Sequence, residues 1–378
     1  MASALTSITA PLGFTRAEHV LADDERPGLL RAKTQPFGRT HKDVLDFRPC
    51  RIQDDAAPGA PASELEQAGF EAIDISGHAG LQAALTTIRE EDFLSDGTAC
   101  AVRENVSGAR FELAGGKALE IQHVADDGMI LRRAGPNGLD VNPGGMDGAN
   151  GHGGAMGIHG DQDVFGTPLK QMMKGGAPRL FRHQTPDGRN DTSSLFLLNL
   201  WIPIQQVTRP LVLMDRRTLD AERHQLRYGL PVTSFLERDE EKSVNDIWTF
   251  LPDPGQEWHF RSEMGPEEAY VFDTLGEAHG ACVLPGEDAL EWLYLELGRG
   301  REAVAAGDEA ALQALAASEP PALPEVTTEP VRATFRQLAG LLREATLSET
   351  WSARVEAARD RVIRKSIEMR MVARLTSA

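Results

Sequence analysis

The sequence has no long apolar run, no excess of positive charge and no secretory signal, and each absence excludes a class of protein. No stretch of about 18 apolar residues occurs in the 378-residue chain, so a membrane span is not expected. The formal net charge of −18 argues against binding to nucleic acid or to an anionic membrane surface. The amino terminus lacks the basic segment and the apolar run of a signal peptide, so we expect a cytoplasmic protein.

Cysteine is also scarce. The three cysteines, Cys50, Cys100 and Cys282, form no Cys-x-x-Cys pair. They fit a reducing compartment, and we interpret them as buried structural thiols. What remains is the composition of a globular protein, with 41% hydrophobic and 25% charged residues, in a chain long enough to bury a substantial core.

Strand-like segments dominate the middle of the chain. Short apolar runs occur at residues 195–204, 210–215, 247–251, 258–260 and 269–272. Turn signals about every ten residues predict an antiparallel barrel or sandwich. In the amino-terminal part, residues 1–134, the patterns predict strands at 44–48, 99–102 and 118–123. They also predict a turn of helix after Ser63 and a longer helix within 79–95.

Glycine is concentrated just before the segment that we interpret as functional. Ten of the 26 residues from 135 to 160 are glycine, and no phosphate-binding glycine motif occurs among them. Two interpretations of residues 135–158 stay open. One is a mobile loop with few side chains to order it, and the other is an active-site lid.

The pattern changes after Pro285. Residues 286–363 are rich in Ala, Leu, Glu and Arg at helical spacing and predict a helical insertion, which could serve as a lid, a decoration or a homodimer contact. Residues 364–375 then alternate as a strand, with Arg364, Ser366, Glu368 and Arg370 on one face. Buried charges must be paired or bound to something, so this charged face needs a partner.

Two distant segments together indicate a metal site. His159 and Asp161 are two residues apart, and in an extended strand their side chains point to the same side. His279 follows a predicted strand and supplies a second imidazole. Two histidines and a carboxylate form the facial triad of non-haem Fe(II) oxygenases, which leaves coordination positions open. The hypothesis requires the two imidazoles to lie within about 5 Å of each other, the reach of two bonds to one cation.

The His-x-Asp tripeptide by itself carries little weight, because His41 and Asp43 form a second copy. We interpret that copy as surface, since no comparable residues follow it. The copy at 159 is followed by His279 and then by Arg364-Lys-Ser366. A guanidinium and a hydroxyl that project together suit a carboxylate ligand. The ordered set is much less probable by chance than any of its parts.

From residue 44 onward the chain resembles the Fe(II)/2-oxoglutarate oxygenases that include the cephamycin hydroxylase/methyltransferase component and the fungal gibberellin desaturase. The matching residues are 44–48, Glu64, Gly69-Phe70, His159-Gly-Asp161-Gln162, Asn199-x-Trp201-x-Pro203, Pro210-Leu-Val-Leu-x-Asp215-x-Arg217, Trp258-x-Phe260, Pro266-x-Glu268, Phe272-Asp273, His279-x-Ala281 and Arg364-x-Ser366-Ile367-Glu368-x-Arg370.

This resemblance implies a mainly β fold with helices (α+β), a double-stranded β-helix or jelly roll in a single domain spanning 1–378. Its core would be residues 159–285 and 364–375, with residues 1–134 packed on it. The resemblance also implies that His159, Asp161 and His279 bind Fe(II) and carry catalysis. Arg364 and Ser366 would hold the distal carboxylate of 2-oxoglutarate.

The chain departs from the family pattern at two places. Relatives usually carry Arg after the Trp of the Asn-x-Trp motif, where Ile202 stands here. Relatives also place the Arg-x-Ser soon after the second His, whereas 85 positions separate His279 from Arg364 here. The helical insertion accounts for that separation.

The expected reaction is hydroxylation or desaturation of a C–H bond in a small organic molecule, with O2 consumed and 2-oxoglutarate converted to succinate and CO2. Residues that we expect at the cofactor or the substrate are Asn199 for the cofactor and Gln162, Phe165, Met172, Trp201 and Trp258 for the substrate. Asn199 could also be a structural residue, and the apolar side chains could be core. Alternative functions are a non-catalytic small-molecule-binding protein, a Zn²⁺ hydrolase or isomerase, and an oxidase in which Arg364 holds a substrate carboxylate.

Overall fold

Two β-sheets lie face to face at the centre of the chain, and helices cover their outer sides. The computed structural model describes residues 6–33, 45–126, 128–142, 144–165, 176–231 and 244–377. The predictions for residues 41–44 and for Met172 therefore concern positions outside the described residues. Among the described helices, none is long and apolar enough to cross a membrane.

The strands are β1 (Ser7–Thr15), β2 (Val20–Ala22), β3 (Leu30–Ala32), β4 (Leu45–Asp54), β5 (Phe70–Asp74), β6 (Arg110–Leu113), β7 (Lys117–Val124), β8 (Ile130–Ala134), β9 (His159–Gly160), β10 (His183–Thr185), β11 (Gly188–Asn190), β12 (Leu195–Gln205), β13 (Leu211–Met214), β14 (Gln225–Pro231), β15 (Val244–Phe250), β16 (Trp258–Phe260), β17 (Glu268–Asp273), β18 (His279–Ala281) and β19 (Arg364–Ser377). The helices are α1 (Leu65–Ala68), α2 (Ala79–Glu91), α3 (Asp96–Val106), α4 (Ala177–Leu180), α5 (Ala221–His224), α6 (Glu287–Ala306), α7 (Glu309–Ala316), α8 (Glu329–Arg343) and α9 (Glu349–Arg361).

The two sheets differ in size and in the strands that they contain. The larger sheet has the order β1-β4-β16-β13-β18-β9-β15-β14-β3-β2, and the smaller has the order β5-β17-β12-β19-β7-β6, with β8 also paired to β19. Most neighbouring strands are antiparallel, as the turn spacing predicted. Together the sheets form the mainly β, double-stranded β-helix that the resemblance implied.

The alternation of side chains along the strands separates an interior face from an outer face in each sheet. In β13, Leu211 and Leu213 pack against the smaller sheet, while Val212 and Met214 point to the other side. In β19, Ile367 and Met369 pack under α2 and α3. The charged row that starts at Arg364 therefore lies on the opposite face, toward the interior, because successive residues of a strand alternate.

Helices α6–α9 share one apolar core with the outer face of the larger sheet. Leu290, Leu293 and Leu297 of α6 are fully buried there. The helical insertion predicted for 286–363 is thus a helical layer on the larger sheet, and we use that name for α6–α9. The homodimer contact through these helices stays a prediction.

One predicted strand is wrong. Residues 99–102 belong to α3, where Ala99, Val102 and Val106 are buried at helical spacing. Ser95 begins this helix with a capping box, in which its hydroxyl accepts from the Thr98 backbone N–H. That box is the local signal that outweighs the short alternation. The strand at 118–123 is confirmed by β7, and the helix within 79–95 by α2.

The cysteines are less uniform than expected. Cys282 is buried, Cys50 is half-buried and Cys100 is exposed. The interpretation as buried structural thiols is therefore right for Cys282 and wrong for Cys100. The Cys100 thiol lies beside Glu104 on the exposed side of α3.

Backbone hydrogen bonds hold the described part of the glycine-rich segment against three strands. The Arg133 N–H donates to the His152 carbonyl, the Ala281 N–H to the Ala155 carbonyl and the Ile158 N–H to the Gly13 carbonyl. The segment therefore covers one end of the space between the sheets. Whether it acts as a lid stays a prediction.

Candidate metal centre

His159 and His279 face each other on adjacent strands of the larger sheet. They are direct partners in the antiparallel register of β9 and β18. Their ring centroids lie 4.4 Å apart, within the limit of about 5 Å that binding to one cation sets. Residues 120 positions apart in the chain thus meet because β9 and β18 are neighbours in the sheet.

Asp161 completes the predicted group of three. Its Oδ1 lies 3.9 Å from Nε2 of His159 and 3.8 Å from Nε2 of His279. All three ligand atoms lie within 4.8 Å of one another. Ligand atoms at about 2 Å from a shared cation have separations of this order, so a metal ion of ordinary size fits between them.

The backbone selects the nitrogen that each imidazole presents to the centre. The Nδ1–H of His159 donates to the Gly157 carbonyl at 2.9 Å, and that of His279 donates to the Glu277 carbonyl at 3.1 Å. A proton on Nδ1 leaves the lone pair on Nε2, which is the nitrogen that faces Asp161. Both rings therefore present Nε2 to the same centre.

Burial keeps the His159 imidazole neutral. Desolvation, with the neighbouring His279 next in importance, lowers the pKa of His159 from 6.5 to about 4. The neutral form is the one that binds a metal ion. At pH 7 no proton therefore competes for His159.

The smaller sheet supports the carboxylate from the opposite side. Asn199 of β12 donates from Nδ2 to Oδ2 of Asp161 at 3.1 Å, and Nη2 of Arg370 in β19 lies 3.7 Å from Oδ1. Burial by itself would raise the pKa of Asp161, but His279, Arg370, His159 and the Asn199 amide hold it well below its usual value. Asp161 is thus ionised and oriented by residues of both sheets.

Gln162 belongs to the same support. With its amide oxygen toward Arg370, it accepts from Nε and Nη1 of that guanidinium, both at 3.0 Å. Arg370 therefore bridges Gln162 and Asp161. The alternation of β19 marked Arg370 as interior-facing, but no motif indicated its partners.

A second set of buried polar atoms lies at the other end of β19. Arg364 is 2% exposed and Ser366 is fully buried. The Arg364 guanidinium donates from Nη1 to the Arg209 carbonyl at 3.0 Å, while its Nε and Nη2 and the Ser366 hydroxyl have no partner. Burial, with Arg132 and Arg209 nearby, lowers the pKa of Arg364 to about 9. Such an environment favours a bound anion.

Gly154 and Ala281 connect this arginine end to the histidines. A side chain built on Gly154 would lie 3.2 Å from Nη2 of Arg364 and 3.5 Å from Cβ of Ala281. Ala281 is two positions beyond His279 on β18, so both point to the interior. One such step is roughly 7 Å along a strand. The guanidinium therefore lies within the reach of a small dicarboxylate that also contacts the metal position.

The residues predicted for substrate are dispersed. Trp201 is buried between the sheets and packs near Tyr270, with ring centroids 6.2 Å apart. Phe165 lies at the edge of a small cluster, with the Arg26 guanidinium 5.5 Å from its ring centroid. Trp258 pairs with Met214 and packs on Phe14 in the core shared with the helical layer. It is thus not brought to the metal centre, and its substrate role stays a prediction that this position does not favour.

Ile202 also points away from the centre. It is fully buried in the apolar core under α2 and α3. The departure from the family pattern at this position therefore replaces a residue on the outer face of β12. The cofactor contacts expected at the interior face are unaffected by it.

Asp215, Glu257 and His259 form a second group of possible ligands among the described residues. The Arg217 guanidinium already binds both oxygens of Asp215, at 2.9 Å and 3.1 Å from its Nε. Asp55 accepts from Nδ1 of His259 at 2.9 Å. The positive charge beside Asp215 is thus supplied by the Arg217 side chain, in the place where a metal ion would bind.

Comparisons with known proteins support the fold. No family model and no curated protein matches the sequence. A solved structure of the iron and alpha-ketoglutarate-dependent endoperoxidase NvfI in a different conformation matches with a TM-score of 0.50 and 15% identity, over 98% of each chain. A single-residue variant of that endoperoxidase matches with a TM-score of 0.49 and 14% identity, over 99% of each chain. The first likeness shows that the chain has the double-stranded β-helix of such enzymes.

Proposed function

We propose that this protein is an Fe(II)- and 2-oxoglutarate-dependent oxygenase that acts on a C–H bond of a small organic molecule. One observation carries the proposal. The same interior holds a His-Asp-His group with converging ligand atoms and, about one strand step away, a buried arginine and serine without partners. Each half of this arrangement suits one end of a metal-chelating dicarboxylate.

The donor set fits Fe(II). Two neutral imidazoles and one carboxylate on one side of a cation leave its other positions open. The same ligands also suit Zn²⁺. A Zn²⁺ hydrolase or isomerase, however, has no need of a buried arginine and serine at this distance, and those orphaned donors favour the 2-oxoglutarate interpretation.

The arginine end fits a carboxylate. Nε and Nη2 of Arg364 form the planar fork that binds two carboxylate oxygens, and the Ser366 hydroxyl adds a third donor. An unsatisfied buried donor typically costs about 1–3 kcal/mol, so an anion that satisfies these atoms would bind favourably. 2-Oxoglutarate has this carboxylate at the end remote from its 2-oxo acid group.

The chain's own side chains orient and protect the reaction. Bound Fe(II) and 2-oxoglutarate would supply the oxidising chemistry with O2, giving succinate and CO2. Asn199 and Arg370 keep Asp161 ionised and aimed at the cation. Phe272, whose ring centroid is 4.5 Å from that of His279, shields this imidazole from water. The open side of the cation would then receive the substrate.

The type of oxidation and the substrate are finer parts of the proposal. Hydroxylation or desaturation is our expectation, and the solved structure of similar fold is named as an endoperoxidase. Gln162, Phe165 and Trp201 are the candidate substrate neighbours. The more specific likeness to cephamycin and gibberellin enzymes stays a prediction.

The test is release of succinate. Purified protein would be incubated with Fe(II), 2-oxoglutarate and O2, with and without a panel of small organic compounds, and succinate would be measured by mass spectrometry. We expect slow release without substrate and stimulation by the right compound. Turnover that needs Zn²⁺ but no O2 would instead indicate a hydrolase or isomerase. Metal binding without any succinate under all conditions would indicate a non-catalytic binding protein.

A further inference from the structure

Arg209 has a conformation that an ordinary loop residue does not adopt. It lies between β12 and β13, is only 2% exposed, and has a φ of 52°, in the left-handed region. For a residue with a side chain this conformation is strained, because Cβ comes too close to the following carbonyl oxygen. Such strain persists only where the surroundings impose it, and it is concentrated at functional sites.

The helical layer imposes this conformation. Glu287, the first residue of α6, accepts from the Arg209 N–H through Oε1 at 2.7 Å. The same carboxylate accepts from the N–H groups of Leu284 at 2.9 Å and Asn137 at 2.7 Å. Glu287 is completely buried. It therefore ties the loop of Arg209 to the start of α6 and to the glycine-rich segment.

The Arg209 side chain reaches the glycine-rich segment, which also borders the Arg364 guanidinium at Gly154. The Arg209 carbonyl accepts from Nη1 of Arg364 at 3.0 Å, which joins the two residues directly. Nη2 of Arg209 contacts Sδ of Met156, in the glycine-rich segment. Its Nε and Nη1 are buried and have no partner.

The charges around this end do not balance. Arg132 is neutralised by Glu368, whose oxygens it contacts at 2.9 Å and 2.7 Å. Arg209 and Arg364 have no such partner, and the oxygens of Glu287 bond to backbone N–H groups. If Glu287 is counted as one negative charge against the two guanidinium groups, one positive charge is left over. A single carboxylate would balance it.

The hydrogen-bonding capacity agrees with the charge. The unpartnered donors are Nε and Nη1 of Arg209, Nε and Nη2 of Arg364, and the Ser366 hydroxyl. A carboxylate offers about four acceptor positions, which is more than one guanidinium fork can fill. Two arginines and a serine can fill them.

We propose that Arg209 is a second carboxylate-binding residue that works together with Arg364, and that Glu287 of the helical layer positions it. This inference rests on the proposed function, and the ligand class is a 2-oxo acid with a carboxylate at its far end. The paired guanidinium groups select the dicarboxylate over a 2-oxo acid that ends in a methyl group. The helical layer thereby contributes to cofactor selection without touching the cofactor.

The experiment compares two ligands on the Zn²⁺-loaded protein, since Zn²⁺ has no redox chemistry and turnover is avoided. The dissociation constants of 2-oxoglutarate and of 2-oxobutanoate, which lacks the distal carboxylate, would be measured by calorimetry. We expect Arg209→Gln to weaken the binding of 2-oxoglutarate about tenfold to a hundredfold, because loss of one partner of a buried charged pair costs this much. The dissociation constant of 2-oxobutanoate should change by less than about twofold, since it has no distal carboxylate.

Three further variants sharpen the result. Glu287→Gln should lower the preference for 2-oxoglutarate by a smaller factor, since it keeps both guanidinium groups and weakens the bonds that position the loop of Arg209. Arg209→Lys should retain part of the preference, because it keeps the charge but not the fork. Arg359→Gln, which removes a guanidinium packed on Tyr294 in the helical layer, should leave both constants unchanged.

The outcomes separate this inference from the proposed function. If Arg364→Gln binds 2-oxoglutarate much more weakly, but Arg209→Gln keeps the full preference for 2-oxoglutarate over 2-oxobutanoate, only the role of Arg209 is overturned. No binding of 2-oxoglutarate by the unmodified protein would overturn the proposed function itself. If Arg209→Gln does not fold, unchanged preference in both Arg209→Lys and Glu287→Gln overturns the inference, and a reduced preference in both supports it.

Discussion

The two ends of the space between the sheets differ in whether their polar groups already have hydrogen-bond partners. The metal end holds His159, Asp161 and His279, and the arginine end holds Arg364, Ser366 and Arg209. At the metal end, the nitrogen of each imidazole that faces away from the centre already donates to a backbone carbonyl, and Asp161 already accepts from Asn199. At the arginine end, Arg364, Ser366 and Arg209 keep buried donors without partners. At the first end the hydrogen bonds that orient the three ligands are in place, and at the second end the buried donors lack an acceptor.

The difference reflects what each ligand requires. A cation binds best where its ligands are oriented beforehand, because the supporting hydrogen bonds fix tautomer and direction. An anion needs donors that are not already used. Leaving such donors buried costs about 1–3 kcal/mol each, so the fold sacrifices stability there in favour of binding. A carboxylate bound at the arginine end is therefore expected to raise the free energy of unfolding, because it gives these buried donors their missing acceptor.

The largest effect should follow removal of the carboxylate ligand. Asp161→Ala should abolish succinate release and lower metal affinity by more than the 10- to 100-fold that loss of a supporting residue typically costs. Metal content and succinate would be measured together. Asp43→Ala, in the other His-x-Asp of the chain, is the control and should keep both. Full iron content with normal turnover in Asp161→Ala would refute the metal centre.

A second substitution would leave the Arg132 guanidinium without a carboxylate partner, as the guanidinium groups of the arginine end already are. Glu368→Gln removes the partner of Arg132 and raises the excess of positive charge in this part of the interior from one to two. About a fifth of each side chain is exposed, so breaking this pair should cost less than the roughly 3–5 kcal/mol of a fully buried pair, and the midpoint of urea unfolding should fall. A saturating carboxylate ligand should recover more stability in this variant than in the unmodified protein. Equal stability of the two proteins would contradict the charge count.

The pH dependence of the metal-free protein tests the metal end alone. His159 has a pKa of about 4 when folded and an ordinary value of 6.5 when unfolded. Between these values the unfolded chain binds more protons, so the free energy of unfolding falls as the pH falls from 6.5 to 4. The contribution is about 3 kcal/mol across that window, at 1.36 kcal/mol per pKa unit. Urea unfolding at several pH values should show that the free energy of unfolding depends less steeply on pH in His159→Gln than in the unmodified protein.

The smallest predicted effect concerns the support of Asp161 from the smaller sheet. Asn199→Ala removes the 3.1 Å bond to Oδ2 and should weaken metal binding about 10- to 100-fold, with the fold retained. Competition with a chelator would measure this affinity. Asn190→Ala, in the short hairpin of β10 and β11, is a matched control and should not change it. An unchanged affinity in Asn199→Ala would mean that Arg370 alone orients Asp161.

The parts of the site that the sequence predicted are those with short-range patterns. His159 and Asp161 share a strand face at two-residue spacing, and Arg364 and Ser366 do so on β19. The order of these motifs with His279 then indicated the chemistry. Arg209 had no such signal, because its role depends on a strained loop and on Glu287, 78 positions away. The mistaken strand at 99–102 has a different origin, because there a local signal, the capping box of α3, overrides a short alternation.

The sequence by itself determined which side chains share a face of a strand, since alternation is a local property of the extended backbone. Together with the order of the motifs and the resemblance that they carry, this indicated the mainly β fold with a helical segment and the candidate ligands. Only the tertiary structure decided which faces meet, that the two imidazoles are cross-strand partners, and that α6 holds Arg209 beside Arg364. Those relations depend on contacts between residues far apart in the chain, and no local pattern records them.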